Sequence, residues 1–384
     1  MHSRRFCDEK HGTQPFGFHP PNAYLYPSFI PFHSLSNNPM TDHIRKPAIL
    51  VTGANGEMGH GLIERLSDTH DARIIGIDVR PIDPAISSRC SATIVGDILD
   101  QLLLERLQSE YEIHSVFHLA ALLSTRAEFT PEAAHRVNVE GTMHLLKLAL
   151  EQSRWHGAPV KFLFPSSIAV YGLPSVAAKE KAGRVKEQDW NMPITMYGCN
   201  KLYCEHLGRY YSSHYRQLAA DTEKGAGGVD FRSIRFPGLI SADTLPSGGT
   251  SDYAPEMLHA AAQGKKYSCF VRTDVRIPFM AMPDAITAFL KLEAAPRERL
   301  RQFVYNIGSF NLSAGEIRDI VRREFHTTDI QFAPDDKRQS IVDSWPADVD
   351  DTPAREDWGL SPDYDGSRAF SEYLIPRIRK RYGC

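Results

Sequence analysis

Ala48-Ile49-Leu50-Val51-Thr52-Gly53-Ala54-Asn55-Gly56-Glu57-Met58-Gly59 is the stretch on which the reading of this chain turns. Its first four residues form a short apolar strand. Glycines follow at 53, 56 and 59, and a helical stretch then runs to about Leu66. Glycine permits the tight turn and lets backbone N–H groups approach a pyrophosphate, while the helix N-terminus adds positive partial charge. Glycine also marks plain turns, so the weight of the motif comes from the strand before it and the helix after it.

Working outward, Arg73-Ile74-Ile75-Gly76-Ile77 reads as a second strand ending at Asp78. An acid about 20 residues past such glycines meets adenosine ribose hydroxyls, and a carboxylate there repels a 2′-phosphate, which favours NAD over NADP. Arg80 is close enough to offset part of that preference. Ala92–Val95 leads into Gly96-Asp97-Ile98, with Asp97 placed for the adenine. Ser115–His118 leads into Leu119-Ala120-Ala121, whose small residues let backbone approach a cofactor. Val160–Phe164 leads into Pro165-Ser166-Ser167. A long helix is expected from about Pro131 to Ser153. Strands alternating with helices predict an α/β fold, a doubly wound parallel sheet of Rossmann type that binds ligand at the carboxyl ends of its strands.

The 384 residues are 42% hydrophobic and 24% charged, ordinary values for a globular chain of one large domain or two coupled ones. A net charge of −3 gives no basic field for nucleic acid, and no apolar run reaches the roughly 18 residues of a membrane span. The six cysteines are scattered, with no Cys-x-x-Cys, which fits a reducing compartment and no metal site. Residues 1–46 are rich in Pro, His, Phe and Asn without a clear period and read as a disordered leader, with Met40 an alternative start. Arg4, Arg5 and Lys10 hint at a transit peptide, but Asp8, Glu9 and the prolines make it a poor one.

The chemistry is concentrated in Tyr197-Gly198-Cys199-Asn200-Lys201. One helical turn apart, a phenol and an ammonium share a face. A neighbouring positive charge favours the phenolate, a general base for taking a proton from an alcohol. Alone, Tyr-x-x-x-Lys is an exposed aromatic and a solvated lysine. Ser167, at a strand's carboxyl end, adds a hydroxyl that can meet the same substrate oxygen.

On these residues the chain resembles the extended short-chain dehydrogenase/reductase family, which includes sugar-nucleotide epimerases and dehydratases. The matching positions are Gly53/Gly56/Gly59, Asp78, Asp97, His118-Leu119-Ala120-Ala121, Asn138 within Val137–Thr142, Ser167, and Tyr197 with Lys201. The resemblance implies that Tyr197 is the acid/base. It implies that Lys201 holds the nicotinamide ribose and lowers the tyrosine pKa, and that Ser167 orients the reacting oxygen. The cofactor contacts it implies are Gly53, Asn55, Gly56, Glu57, Met58, Gly59, Asp78, Asp97, Ile98, Leu119, Ala120, Ala121, Asn138, Tyr197, Lys201 and Pro237.

The segment Phe231–Ala254 separates reactions within the family. Epimerases carry Asn where Pro237 stands, and proline offers neither N–H nor polar side chain. The run Pro246-Ser247-Gly248-Gly249-Thr250-Ser251-Asp252-Tyr253-Ala254 is similar to the family's threonine-oxidising branch, as are Pro165–Gly172 and Ile277–Ala285. This implies oxidation of the C3 hydroxyl of L-threonine by NAD+, with Ser124 and Thr250 as further substrate contacts. The alternatives are a sugar-nucleotide epimerase or dehydratase, and an idle dinucleotide-sensing protein.

The expected organisation is a leader at 1–46, an NAD-binding domain at 47–235 and a substrate-binding lobe at 236–384 with segments returning to the first domain. Gln217–Gly228 reads as an exposed insertion. Helices are expected over Asp284–Leu292, from Ser313 to about Phe325 with a capping box, and over Ser367–Tyr382. The family implies a homodimer through the helices near 131–153 and 196–214, and a mitochondrial location, with a cytoplasmic one as the alternative.

Overall fold

The structure, a computed structural model, describes residues 47–219, 228–246, 248–326 and 328–384. The expected leader, and residues 220–227 of the expected insertion, lie outside the described residues.

Seven strands make one sheet: β1 (Pro47–Thr52), β2 (Arg73–Asp78), β3 (Ala92–Val95), β4 (Glu112–His118), β5 (Val160–Ser167), β6 (Val229–Phe236) and β7 (Val304–Asn306). Their order is β7-β6-β5-β4-β1-β2-β3, and each neighbouring pair is parallel. The chain therefore winds outward in one direction from β1 and in the other from β4. The switch point falls between those two strands, where such sheets bind ligands.

Both faces of the sheet are covered, as near-continuous apolar strands require. Side chains alternate along β1: Ile49 and Val51 join Leu62 and Ile63 of helix α1 (Glu57–Thr69) and Phe289 of the helix Met282–Ala294. Ala48 and Leu50 face the other way, with Leu145 and Ala149 of α2 (Gly141–His156) and Cys204 of α3 (Met196–Ser213). A third apolar cluster joins the turn after β5 to the C-terminal helices through residues such as Tyr253, Phe279, Ile317 and Phe370. The described residues close into one compact unit. The helix Ala314–Glu324 opens on the expected box, with Ser313 and Glu316 each bonding the other's backbone.

The long helix expected over 131–153 is interrupted. Pro131–His135 passes into a π-turn at Arg136–Glu140 before α2 continues to Gly157, which ends the helix at φ +73°. The same device occurs at Ala369–Leu374 within the last helix. The extra residue of a π-turn rotates the side chains that follow, and at Asn138 this matters for the site.

Candidate active site

At the switch point a cleft of about 730 Å³ opens between the ends of β1, β4 and β5. Its floor is the glycine turn. Gly53 has φ +68°, and a Cβ there would stand 2.7 Å from the Ala120 nitrogen, so only glycine lets the loops after β1 and β4 touch. No side chain caps the start of α1. Its first backbone N–H groups therefore remain available beside Gly56, Glu57, Met58 and Gly59 on the cleft wall. This cradle fits a dinucleotide pyrophosphate.

Asp78 sits at the end of β2 with one oxygen accepting the Asn55 N–H at 3.0 Å and the other the Arg80 N–H at 3.1 Å. Each oxygen keeps a second lone pair for a ribose hydroxyl. Asn55 spends its side-chain oxygen on the Asp83 N–H at 3.0 Å and lies 3.1 Å from His60 Nε2, tying the turns after β1 and β2 together.

The loop after β4 is fixed by a buried chain. The Thr142 hydroxyl donates to the Asn138 carbonyl, so it must accept from His118 Nε2 at 2.9 Å. That assigns the ring proton to Nε2. His118 Nδ1 then accepts from the Thr52 hydroxyl at 2.9 Å, and Thr52 accepts the Ala120 N–H at 3.3 Å. Burial first, and the charge of Lys201 second, lower His118 to about 3, so the ring stays neutral. Leu119 and Ala121 are thereby presented to the cleft.

Three residues proposed as cofactor contacts also have partners within the protein. Asn138 accepts the Leu122 N–H at 2.8 Å and donates to the Leu122 carbonyl at 3.0 Å, because the π-turn aims it at that loop. It therefore holds the loop leading to Ser124 and does not line the cleft. Ile98 is buried with Leu104 and Leu145, so its side chain packs the core. Asp97 is exposed and closes a turn onto the Leu99 N–H at 3.0 Å.

The reacting end forms because α3 presses on the turn after β5. Thr195 caps α3 by accepting the Gly198 N–H at 3.1 Å. A Cβ on Gly198 would lie 2.1 Å from the Ala169 oxygen, so glycine sets the approach that puts Tyr197 and Lys201 on the cleft wall with Ser167. Ser167 Oγ accepts the Ala169 N–H at 3.2 Å, which leaves its own hydroxyl proton to donate. Lys201 is buried, its ammonium 4.4 Å from the Phe164 ring centre and 5.5 Å from that of Tyr197.

Burial lowers Lys201 to about 8, against the raising effect of Cys204 and Glu205. The tyrosine departs from expectation. It is only partly exposed where it borders the cleft, and the loss of water around the phenol pushes its pKa up, not down.

On the substrate side, Ser124 and Thr250 come together, their hydroxyls 3.4 Å apart. Thr125 Oγ1 donates to the Gly248 carbonyl at 2.8 Å and Arg338 to the Gly249 carbonyl at 2.8 Å, so the glycine run is pinned from two sides. Pro237 lines the cleft. The sequence did not point to Arg126 or Trp345, which also line it; the buried Trp345 Nε1–H has no hydrogen-bond partner. Among the described residues, no group of three or more His, Cys, Asp or Glu could hold a metal ion.

This cleft, with its glycine cradle and its Ser–Tyr–Lys wall on a doubly wound sheet, defines a nucleotide-linked enzyme class. The chain belongs to the NAD dependent epimerase/dehydratase family, whose signature covers residues 49–308. It is 32% identical over 340 residues to the mitochondrial L-threonine 3-dehydrogenase of Bos taurus, which spans 88% of this chain and 85% of that one. Among solved structures it resembles L-threonine 3-dehydrogenase from Trypanosoma brucei, with a TM-score of 0.76 and 34% identity over 89% of this chain and 99% of that one. It also resembles a monomeric L-threonine 3-dehydrogenase from a metagenome, with a TM-score of 0.74 and 36% identity over 86% of this chain and 99% of the other.

Proposed function

We propose that this protein is an NAD+-dependent L-threonine 3-dehydrogenase, forming 2-amino-3-oxobutanoate. The observation that carries the reading is the convergence of Ser167, Tyr197 and Lys201 on one cleft above the glycine cradle, with Pro237 where an epimerase has an amide. The named relatives support the choice of substrate.

NAD+, when bound, supplies the acceptor for the hydrogen leaving C3. The cradle at Gly53–Gly59 would hold its pyrophosphate and Asp78 its adenosine ribose, which would favour NAD+ over NADP+. The Ser167 hydroxyl donates a hydrogen bond to the C3 oxygen, keeping its own proton, and fixes that oxygen beside Tyr197. Tyr197 takes the C3 hydroxyl proton. Its raised pKa means that it must act as a base with a positive field next to it, and Lys201 supplies that charge as long as it is protonated. Ser124, with Thr250 behind it, meets the polar end of the amino acid.

The test follows NADH absorbance with L-threonine, L-serine, 3-hydroxy acids and UDP-glucose in parallel. NADH is expected with L-threonine. Its absence at alkaline pH removes the reading, and a thermal shift with UDP-glucose but not threonine would favour an epimerase.

The assembly we infer is a homodimer through Pro131–His156 and α3, helices that expose Met143, Tyr203 and Tyr210. Light scattering distinguishes this from a monomer such as the metagenomic relative. Among the described residues no helix is long and apolar enough to cross a membrane. The bovine relative's name supports a mitochondrial location, which a fluorescent fusion of the full chain tests.

A further inference from the structure

We propose that Glu205 is a positioning residue for this reaction: its carboxylate holds the strand ends bearing Ser167 and Pro237 against the helix bearing Tyr197 and Lys201. The inference rests on the dehydrogenase reading above.

Tyr197, Lys201 and Glu205 recur at one-turn intervals along α3 and so share a face. Glu205 is 4% exposed. One of its oxygens accepts the Ser166 hydroxyl at 2.5 Å and Arg235 Nε at 2.9 Å, and the other accepts Arg235 Nη2 at 2.7 Å. Ser166 is the residue before Ser167 at the end of β5. Arg235 lies two residues before Pro237 at the end of β6. A single carboxylate therefore joins the three elements whose ends form the reacting wall.

The anchoring continues behind it. Arg235 Nη1 donates to the Glu187 carbonyl at 2.8 Å, and its guanidinium lies 4.9 Å from the Tyr171 ring centre. The Tyr171 hydroxyl in turn donates to Asn306 of β7 at 2.7 Å.

A buried ion pair is weak evidence of stability, because apolar residues of the same volume often serve as well. Geometry is the stronger account. A reacting constellation must be held within about 0.5 Å, and a displacement of about 1 Å can cost on the order of 100-fold in rate. Ser167 sits one residue from the Ser166–Glu205 bond, so its position depends on that bond.

Glu205 also acts on charge. The groups facing Lys201 are Tyr197, Cys204 and Glu205 of its own helix, neutral His118 of β4 and the Phe164 ring of β5, with Arg235 of β6 beyond Glu205. The Glu205 carboxylate opposes the loss of the Lys201 proton.

Two variants test this. Ser166→Ala removes the link to β5 and leaves the Arg235–Glu205 pair intact. Its kcat with L-threonine is expected to fall by about 10-fold or more, with KM and NAD+ affinity within about twofold and an unchanged circular dichroism spectrum. Glu205→Gln is expected to move the alkaline limb of the kcat profile to lower pH, because Lys201 then loses its proton more readily. A Ser166→Ala protein with parental kcat overturns the proposal. So does a loss of kcat that merely follows a loss of folded protein. A parent that makes no NADH from L-threonine overturns the dehydrogenase reading and this inference with it, whereas an active parent matched by Ser166→Ala overturns this inference alone.

Discussion

Replacing Lys201 with methionine is expected to strengthen the fold at neutral pH while removing turnover. The ammonium is buried against the Phe164 ring, and burial lowers its pKa to about 8. Free lysine titrates near about 10.4, and each pH unit of difference is worth about 1.4 kcal/mol. Holding the charge inside therefore costs about 3 kcal/mol at pH below about 8. Because the folded pKa lies below the unfolded one, the folded state binds fewer protons between pH of about 8 and 10.4. The parent thus gains stability as pH rises through that window. Methionine fills a similar volume without charge, and the cost above is already net of the attraction to Glu205, so its advantage at pH 7 is expected to be about 1–3 kcal/mol, less any loss of packing. Urea unfolding of both proteins without NAD+, at pH 7 and pH 10, measures it. The variant should lead at pH 7 and lose most of that lead by pH 10. A parent that is the more stable at pH 7, or a difference that does not change with pH, refutes the reasoning.

Tyr197→Phe should retain NAD+ binding, read by fluorescence titration, and lose nearly all turnover; retained turnover takes Tyr197 out of the base role. Gly53→Ala would push a Cβ to 2.7 Å from the Ala120 nitrogen at φ +68°, a strain worth about 1–3 kcal/mol. It should weaken NAD+ at least tenfold by calorimetry, since the cradle must open to admit the methyl. Asn138→Ala removes both bonds to the Leu122 backbone and should cost about 2 kcal/mol. Steady-state kinetics should then show a several-fold higher KM for L-threonine with kcat less affected, because the loop carrying Ser124 loosens.

The first strand, the glycine turn and α1 were legible because their signals are local: an apolar run, glycines at fixed offsets and a helical period. The same holds for the Ser313 capping box. The bonds from Asn138 to the Leu122 backbone could not be read from the sequence, because an α-to-π shift rotates a side chain without leaving a mark in the hydrophobic period. The pair Tyr197 and Lys201 was found by spacing, which is silent on burial. Adjacency shows the ammonium but not the water that folding removes from the phenol. Ser124 and Thr250 appeared as separate candidates, and only the tertiary fold makes their hydroxyls neighbours. Glu205 and Arg235 did leave a signal that the sequence reading passed over: a third polar residue on the Tyr197–Lys201 stripe, and an arginine inside the strand Val229–Phe236, all of whose residues are buried.

The central claim is that this cleft removes hydrogen from C3 of L-threonine, and deuterium at that carbon tests it most directly. With L-threonine deuterated at C3, mass spectrometry of the coenzyme should show NADH carrying the deuterium, one label per turnover. NADH formed without the label, or no NADH from threonine at all, would contradict the account.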